Sequence, residues 1–363
     1  MFLRFALLKK GKRSTGQVLQ HCARRSLVAT GSMTKVWLDC DPGHDDALAI
    51  LLAQGSSSID LVGISAVSGN QSLEKTYRNA QIVRRLAGIT EENDIPVLSG
   101  MDRPLIRKIR HDPGIHGDSG LDGSSGLDAY AKTLALETFD GDIAGGLNAI
   151  MKGIEAAADP TVTLVATGAL TNVAMLLRLY PKQMKRCVKE IVLMGGAIGI
   201  GNRSSVAEFN ILCDPEAARI VFEADFNVVM VPLEVTHTAI ATASILDTVR
   251  GSGTPFGQIV HDLLVFFKET YETVFDFKEG PPVHDACAIA YVIDPTLFTA
   301  KKMRVDVMCD DGLTMGQTVC DVWGYEQSKP PNVVVCQAMN VPGFWELTLD
   351  AIDRCNKASP VNK

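Results

Sequence analysis

The stretch "KVWLDCDPGHDDALAILLA", residues 35–53, decides how this chain is read. It opens on a short apolar run, passes Asp39, Asp41, Asp45 and Asp46 within eight residues, and closes on a second apolar run. The first run has the character of a strand and the second that of a buried helix. Pro42 and Gly43 stand between them and force a sharp bend. The four carboxylates therefore fall at the carboxyl end of a strand and on the first turn of a helix, where open α/β sheets bind their ligands. The helix N-terminus stabilises an acid there by roughly 0.3–1 kcal/mol. That accounts for one acid or two, not four. Crowded carboxylates with no Cys pair and few His form a hard oxygen site, suited to Ca²⁺ or Mg²⁺ rather than zinc. An EF-hand is excluded by spacing, because its twelfth position counted from Asp39 is Ile50.

Outward from this stretch, apolar strand, polar turn and amphipathic helix repeat. Strands are expected at 36–38, 59–67, 162–166, 190–194 and 227–235, and helices at 47–53, 73–86, 143–158, 172–179 and 215–223. Continuous Val/Ile/Leu runs suit strands covered on both faces. Their alternation with helices predicts an α/β fold, a mostly parallel central sheet flanked by helices, open and Rossmann-like, in one domain over 33–363. Two glycine-rich stretches, "HGDSGLDGSSGL" (116–127) and "MGGAIGIGN" (194–202), read as loops that let backbone approach a small ligand.

The 363 residues are 46% hydrophobic and 21% charged, which suits a globular chain with a large core. A net charge of -7 argues against a nucleic-acid partner, and no apolar run has transmembrane length. The nine cysteines are odd in number and form no CxxC pair, as expected of free thiols in a reducing compartment. The first 32 residues carry seven Lys/Arg and no acid. They read as a basic extension, disordered or targeting. The location expected is cytoplasmic, or mitochondrial if this extension is a transit peptide.

Two further polar motifs stand apart from the acidic cluster. "PPVHDACAIAYVIDP" (281–295) puts His284 and Asp285 before an apolar helix, where an Asp commonly serves as a cap. "GNRSSVAEFNILCDPEAA" (201–218) groups Asn202, Glu208 and Asn210, residues able to grip a polyhydroxylated ligand or simply to line a surface loop.

Taken in order, "DCDPGHDDALAI" (39–50), "SGNQSLEKTYRNA" (68–80), "IHGDSGLDG" (115–123), "VATGALTNVA" (165–174), "MGGAIGIGNRSSVAEFNILCDPEAA" (194–218) and "PPVHDACAIAYVIDP" make the chain resemble the inosine–uridine preferring nucleoside hydrolases from Met33 onward. The resemblance implies Ca²⁺ held by Asp41, Asp46, Asp285 and the carbonyl of Thr167. It implies ribose bound by Asp45, Asn70, Asn202, Glu208 and Asn210, with Met194 lining the pocket. Asp41 is then the general base for the attacking water and His284 the acid beside the leaving base. Asp39 supports the loop. The family's reaction is hydrolysis of the N-glycosidic bond of ribonucleosides, serving salvage or catabolism, by a homodimer or homotetramer. His44, His116 and "TVCDVWG" (318–324) look more like members that favour pyrimidines or accept both base classes, with His116 and His284 near the base. The segment 267–282 is expected to be a flexible lid from which Tyr271 or Phe275 reaches the base. Two rivals remain: a haloacid-dehalogenase-type phosphatase, and a nucleoside or ribose binder that has lost the chemistry. Pro42-Gly43 after the second Asp speaks against the first, and intact Asp41, Asp46 and Asp285 against the second.

Overall fold

The run "TKVWLDC" becomes strand β1 (Thr34–Cys40), whose last five residues are fully buried. The structure is a computed structural model and describes residues 33–90 and 94–363; the basic extension at 1–32 lies outside the described residues. Further strands follow as β2 (Ile59–Ala66), β3 (Val97–Ser99), β4 (Val162–Ala166), β5 (Val188–Met194), β6 (Val228–Val231), β7 (Phe298–Met303), β8 (Val305–Val307), β9 (Thr318–Cys320) and β10 (Val333–Met339). Eight of them form one sheet in the order β3-β2-β1-β4-β5-β6-β10-β7, and β8 pairs with β9 in a small antiparallel hairpin. Every pairing in the large sheet is parallel except β10 with β7. The order runs down from β3 to β1 and then up from β4, so the winding reverses between β1 and β4. Loops leaving those two strands diverge and open a crevice at their carboxyl ends.

The helix His44–Gly55 carries the apolar half of the opening stretch, and only Gln54 in it escapes burial. A helix apolar nearly all round has to lie inside the protein. It packs between the sheet, the helix Ala286–Ile293 and the C-terminal helix Val341–Ala358. On the other face of β1, Trp37 is wholly buried and donates Nε1 to Ser65 Oγ at 3.0 Å. Gly63 and Gly153 make room for it, since a Cβ at either would stand within 2.4 Å of the indole. Burying such a ring, ~200 Å² at ~25 cal/mol per Å², contributes about 5 kcal/mol.

The expected α/β architecture is present, with three differences in detail. Residues 227–235 were expected as one strand; β6 ends at Val231, Pro232 removes a ladder donor, and Leu233–Thr236 form a helical turn. Glycine-rich 116–127 is framed by two short helices, Pro113–His116 and Ser125–Ala131, so His116 ends a helix rather than sitting mid-loop. The expected lid is helical over its first part. Residues up to Phe275 are the last turns of the helix Pro255–Phe275, which Asp276 ends in the left-handed conformation. Among the described residues all eight cysteines are free thiols, and no helix is long and apolar enough to cross a membrane.

Candidate active site

Seven chain segments among the described residues converge on the carboxyl ends of the parallel strands. Asp41 follows β1 and is wholly buried. Its Oδ2 accepts from the Asn70 backbone N at 2.6 Å and its carbonyl from Asn70 Nδ2 at 3.1 Å, which ties the end of β1 to the loop after β2. Asp46 Oδ2 accepts from Gly43 N at 3.0 Å and Asn70 Nδ2 at 3.1 Å, while Oδ1 accepts from Thr167 Oγ1 at 2.8 Å. One asparagine thus serves both acids. Asp39, a turn deeper, accepts from Ser65 Oγ and from Asn172 Nδ2 at 2.8 Å. Burial pushes its carboxyl up to about 7.

Asp285 stands at the N-cap of Ala286–Ile293 yet makes no capping hydrogen bond. Its carboxylate turns instead toward the helix His44–Gly55, where oxygens of Asp45, Asp46 and Asp285 all lie within 4.8 Å of one another. The closest trio therefore contains Asp45, which the resemblance gave to ribose. Burial raises all four acids, and repulsion from neighbouring carboxylates adds to it at Asp41, Asp45 and Asp285, while hydrogen bonds offset part of it at Asp46: Asp45 reaches about 8, and Asp41, Asp46 and Asp285 also lie above the usual carboxylate range. Among the described residues, none of the four forms an ion pair. Asp41 Oδ1 is buried with no hydrogen-bond partner among the described residues. An orphaned carboxylate oxygen beside a trio of unneutralised acids fits a bound cation.

Above the acids lies a cleft of about 380 Å³, its open mouth included. Its lining includes Asp45, Asn70, Thr167, Met194, Asn202, Glu208, Asn210, His116, His284 and Asp285, so every expected substrate-binding residue contributes; Asp41 and Asp46 lie behind the lining. The two ends differ in chemistry. At one, Glu208 caps the helix Phe209–Cys213, accepting from Asn210 N at 2.8 Å, Ile211 N at 3.1 Å and Gly196 N at 3.0 Å. Asn210 Nδ2 donates to the carbonyl of Thr167 at 2.7 Å and to that of Met194 at 3.3 Å, and Asn202 Oδ1 accepts from Phe209 N at 3.0 Å. These backbone ties hold amide and carboxylate groups rigidly, as recognition of several hydroxyls requires.

The other end is aromatic. His284 Nε2 lies 2.7 Å from the Tyr271 hydroxyl and Nδ1 2.7 Å from Thr236 Oγ1. Burial pushes His284 well below its ordinary 6.5, so the imidazole is neutral near pH 7, and raises the Tyr271 phenol well above 10. His116 stacks on Phe267 and on His44, with His44 and His116 Nδ1 atoms 3.3 Å apart. His44 stands behind the wall, its Nε2 on the carbonyl of Asp122 at 2.9 Å, and burial lowers it to about 4. Of the two lid candidates, Tyr271 lines the cleft. Phe275 lies against Arg203, a wall residue that sequence reasoning missed together with its partner Asp112. Thr236 was missed too.

A doubly wound α/β sheet with an acidic, cation-compatible floor at its switch point and a cleft polar at one end and aromatic at the other is the architecture of a small-molecule site in an α/β protein. Comparison with known proteins makes this particular. The family model described as inosine-uridine preferring nucleoside hydrolase matches residues 36–346. The inosine-uridine preferring nucleoside hydrolase of Leishmania major is 43% identical over 88% of this chain and 98% of its own length. The pyrimidine-specific ribonucleoside hydrolase RihA of Escherichia coli is 40% identical over 87% and 97%. Among solved structures, the purine-preferring ribonucleoside hydrolase from Gardnerella vaginalis superposes with a TM-score of 0.76 at 30% identity, covering 89% of this chain and 99% of that one. The chain belongs to the inosine-uridine preferring nucleoside hydrolase family, and is a ribonucleoside N-glycosyl hydrolase.

Proposed function

We propose that residues 33–363 hydrolyse uridine and inosine to ribose and free base in a Ca²⁺-dependent reaction, with Asp41 as general base. The observation that carries this is the division of one cleft into a hydroxyl-binding end over an acidic floor and an aromatic end able to take a flat base. Asp41, Asp46, Asp285 and the Thr167 carbonyl hold the ion, which when bound offsets their repulsion and makes a nearby water easier to deprotonate. Asp41 accepts that water's proton at Oδ1, the oxygen left without a partner. Asp45, Asn70, Asn202, Glu208 and Asn210 take the ribose hydroxyls and hold the sugar as positive charge develops at C1′. Glu208 adds negative charge beside that carbon.

At the other end, His116 and Tyr271 flank the base, and the chain Thr236–His284–Tyr271 carries a proton toward it as it leaves. Both base classes are proposed because the relatives carry inosine-uridine and pyrimidine-specific names, with uridine the better substrate. Chelated full-length protein, assayed for reducing sugar from uridine, should be silent and should recover on addition of Ca²⁺. Undiminished release after thorough chelation would remove the cation from the account. Binding of uridine without any release, Ca²⁺ present, would favour the binding protein instead.

A further inference from the structure

Arg203 lies in the loop between β5 and the helix Phe209–Cys213, and among the described residues is the one permanently charged cation in the cleft's lining. Three segments fix it. Its Nη2 is ion-paired to Asp112, which precedes the short helix Pro113–His116. Its guanidinium lies over the ring of Phe275 at 5.1 Å, at the end of Pro255–Phe275, and over Phe209 at 5.8 Å. Only 22% of the Arg203 side chain and 17% of that of Asp112 are exposed. Nη1 reaches the Asn202 carbonyl at a long 3.5 Å, and Nε has no hydrogen-bond partner among the described residues. Arg203 stands where the two ends meet: its charge acts on His116, His284 and Tyr271 at the aromatic end and on Glu208 at the hydroxyl-binding end. An arginine held by stacking on one face and pairing on one edge still presents donors to whatever enters beside it.

A guanidinium has five N–H donors and no acceptor. Uracil and hypoxanthine carry an exocyclic oxygen on the ring edge where cytosine and adenine carry an amino group. The oxygen accepts from a guanidinium; the amino group offers it only another donor. The reaction sharpens this difference. Water's oxygen bonds to C1′, the C1′–N bond breaks, its electron pair leaves with the base, and a proton released by the water returns to the base. Before that proton arrives, uracil and hypoxanthine spread negative charge onto the oxygen at that edge, where a fixed cation stabilises it most; cytosine, whose one oxygen lies beside the glycosidic nitrogen, and adenine have no oxygen there.

Resting on the hydrolase reading above, we infer that Arg203, held in place by Asp112 and Phe275, selects nucleosides with an oxo base over those with an amino base. Because Arg203 contacts the departing base in this account, its removal acts on one member of each base pair and spares the other. A role confined to clasping the three segments together would change all substrates alike.

The test is kcat/KM of the full chain with Ca²⁺ on uridine, cytidine, inosine and adenosine, for wild type, Arg203→Met and Arg203→Lys. Wild type should favour the oxo member of both pairs. Arg203→Met should lose about tenfold to a hundredfold on uridine and inosine and stay within about threefold on cytidine and adenosine. Arg203→Lys, which keeps the charge but not the planar fork, should fall between; if the Met variant does not fold, the Lys variant decides by the same ratios. Ratios unchanged from wild type, or all four substrates falling together, would overturn the inference. Wild type that hydrolyses none of the four would refute the activity itself, an outcome distinct from the other two.

Discussion

Replacing Gly168 by alanine tests how tightly the catalytic acid is held. A Cβ there would stand 2.6 Å from Asp41 Oδ1, 2.9 Å from Asp41 Cγ and 2.8 Å from Val67 Cγ1. Gly168 is not among the residues with positive φ, so alanine brings no backbone strain and acts through this contact alone. The carboxylate has little room to yield. Its other oxygen is hydrogen-bonded to Asn70 N at 2.6 Å, and a Cβ at Gly69 would meet that oxygen at 2.0 Å. Asp41 must therefore retreat by most of an ångström at the expense of the Asn70 bond. Displacements of that size in a reacting group cost roughly 100-fold in rate. Overpacking adds about 1–3 kcal/mol of destabilisation, a fall of a few degrees in Tm. Steady-state kinetics on uridine with a parallel thermal melt should show kcat down about 100-fold in a protein that remains folded. A kcat within threefold of wild type would mean that the position of Asp41 Oδ1 does not matter, and the argument for it as base would fail.

Three further outcomes follow from the same geometry. Asn172→Ala removes the donor to Asp39 and Ala66 O and the acceptor of Met101 N, held at 2.6 Å, so denaturant unfolding should show a loss of about 3 kcal/mol; a loss under about 1 kcal/mol would contradict it. Tyr271→Phe leaves His284 Nε2 without its hydroxyl and should lower kcat on uridine about tenfold with KM nearly constant, whereas a rise confined to KM would make Tyr271 a binding group only. In chelated protein, Asp45 and Asp39 titrate near 8 and 7 instead of 3.8, because burial opposes their charged forms. A carboxyl raised on folding stabilises the fold fully below its unfolded value and loses that contribution as pH climbs through the folded one. Tm of the chelated protein should fall from pH 5 to pH 8, and added Ca²⁺ should raise it more at pH 8 than at pH 5; a flat profile would count against it.

The site's floor was legible because its signal is local. Four acids between a strand and a helix leave few arrangements open, and Asp41, Asp45 and Asp46 take the places that stretch implied. β1, β2, β4, β5 and β6 were legible because burial on both faces leaves unbroken Val/Ile/Leu runs, whereas β3, an edge strand of three residues, carries no such run and had no assignment. The chain beyond β6 was harder: β10 and its antiparallel edge partner β7 carried no assignment, and Phe298–Met303 has four exposed residues out of six. The run 227–235 is apolar on both sides of Pro232, and such a run does not distinguish strand from helical turn. Residues 267–282 were expected as a flexible lid, but their first part, "FKETYETVF", closes a helix whose cap, Thr254, lies thirteen residues before Phe267 and outside that segment. Arg203 and Asp112 are 91 positions apart, and Thr236 and His284 are 48. Pairings of that kind leave no pattern in sequence; only the fold brings them together.

The account's central claim is that this cleft hydrolyses ribonucleosides with Asp41 as the base. Its most direct test is reducing-sugar release by the full chain with Ca²⁺, from uridine and from inosine, for wild type beside Asp41→Asn. The account predicts ribose from both substrates with wild type, and loss of release on both in an Asp41→Asn protein that still binds nucleoside. Ribose release by Asp41→Asn at the wild-type rate would contradict it.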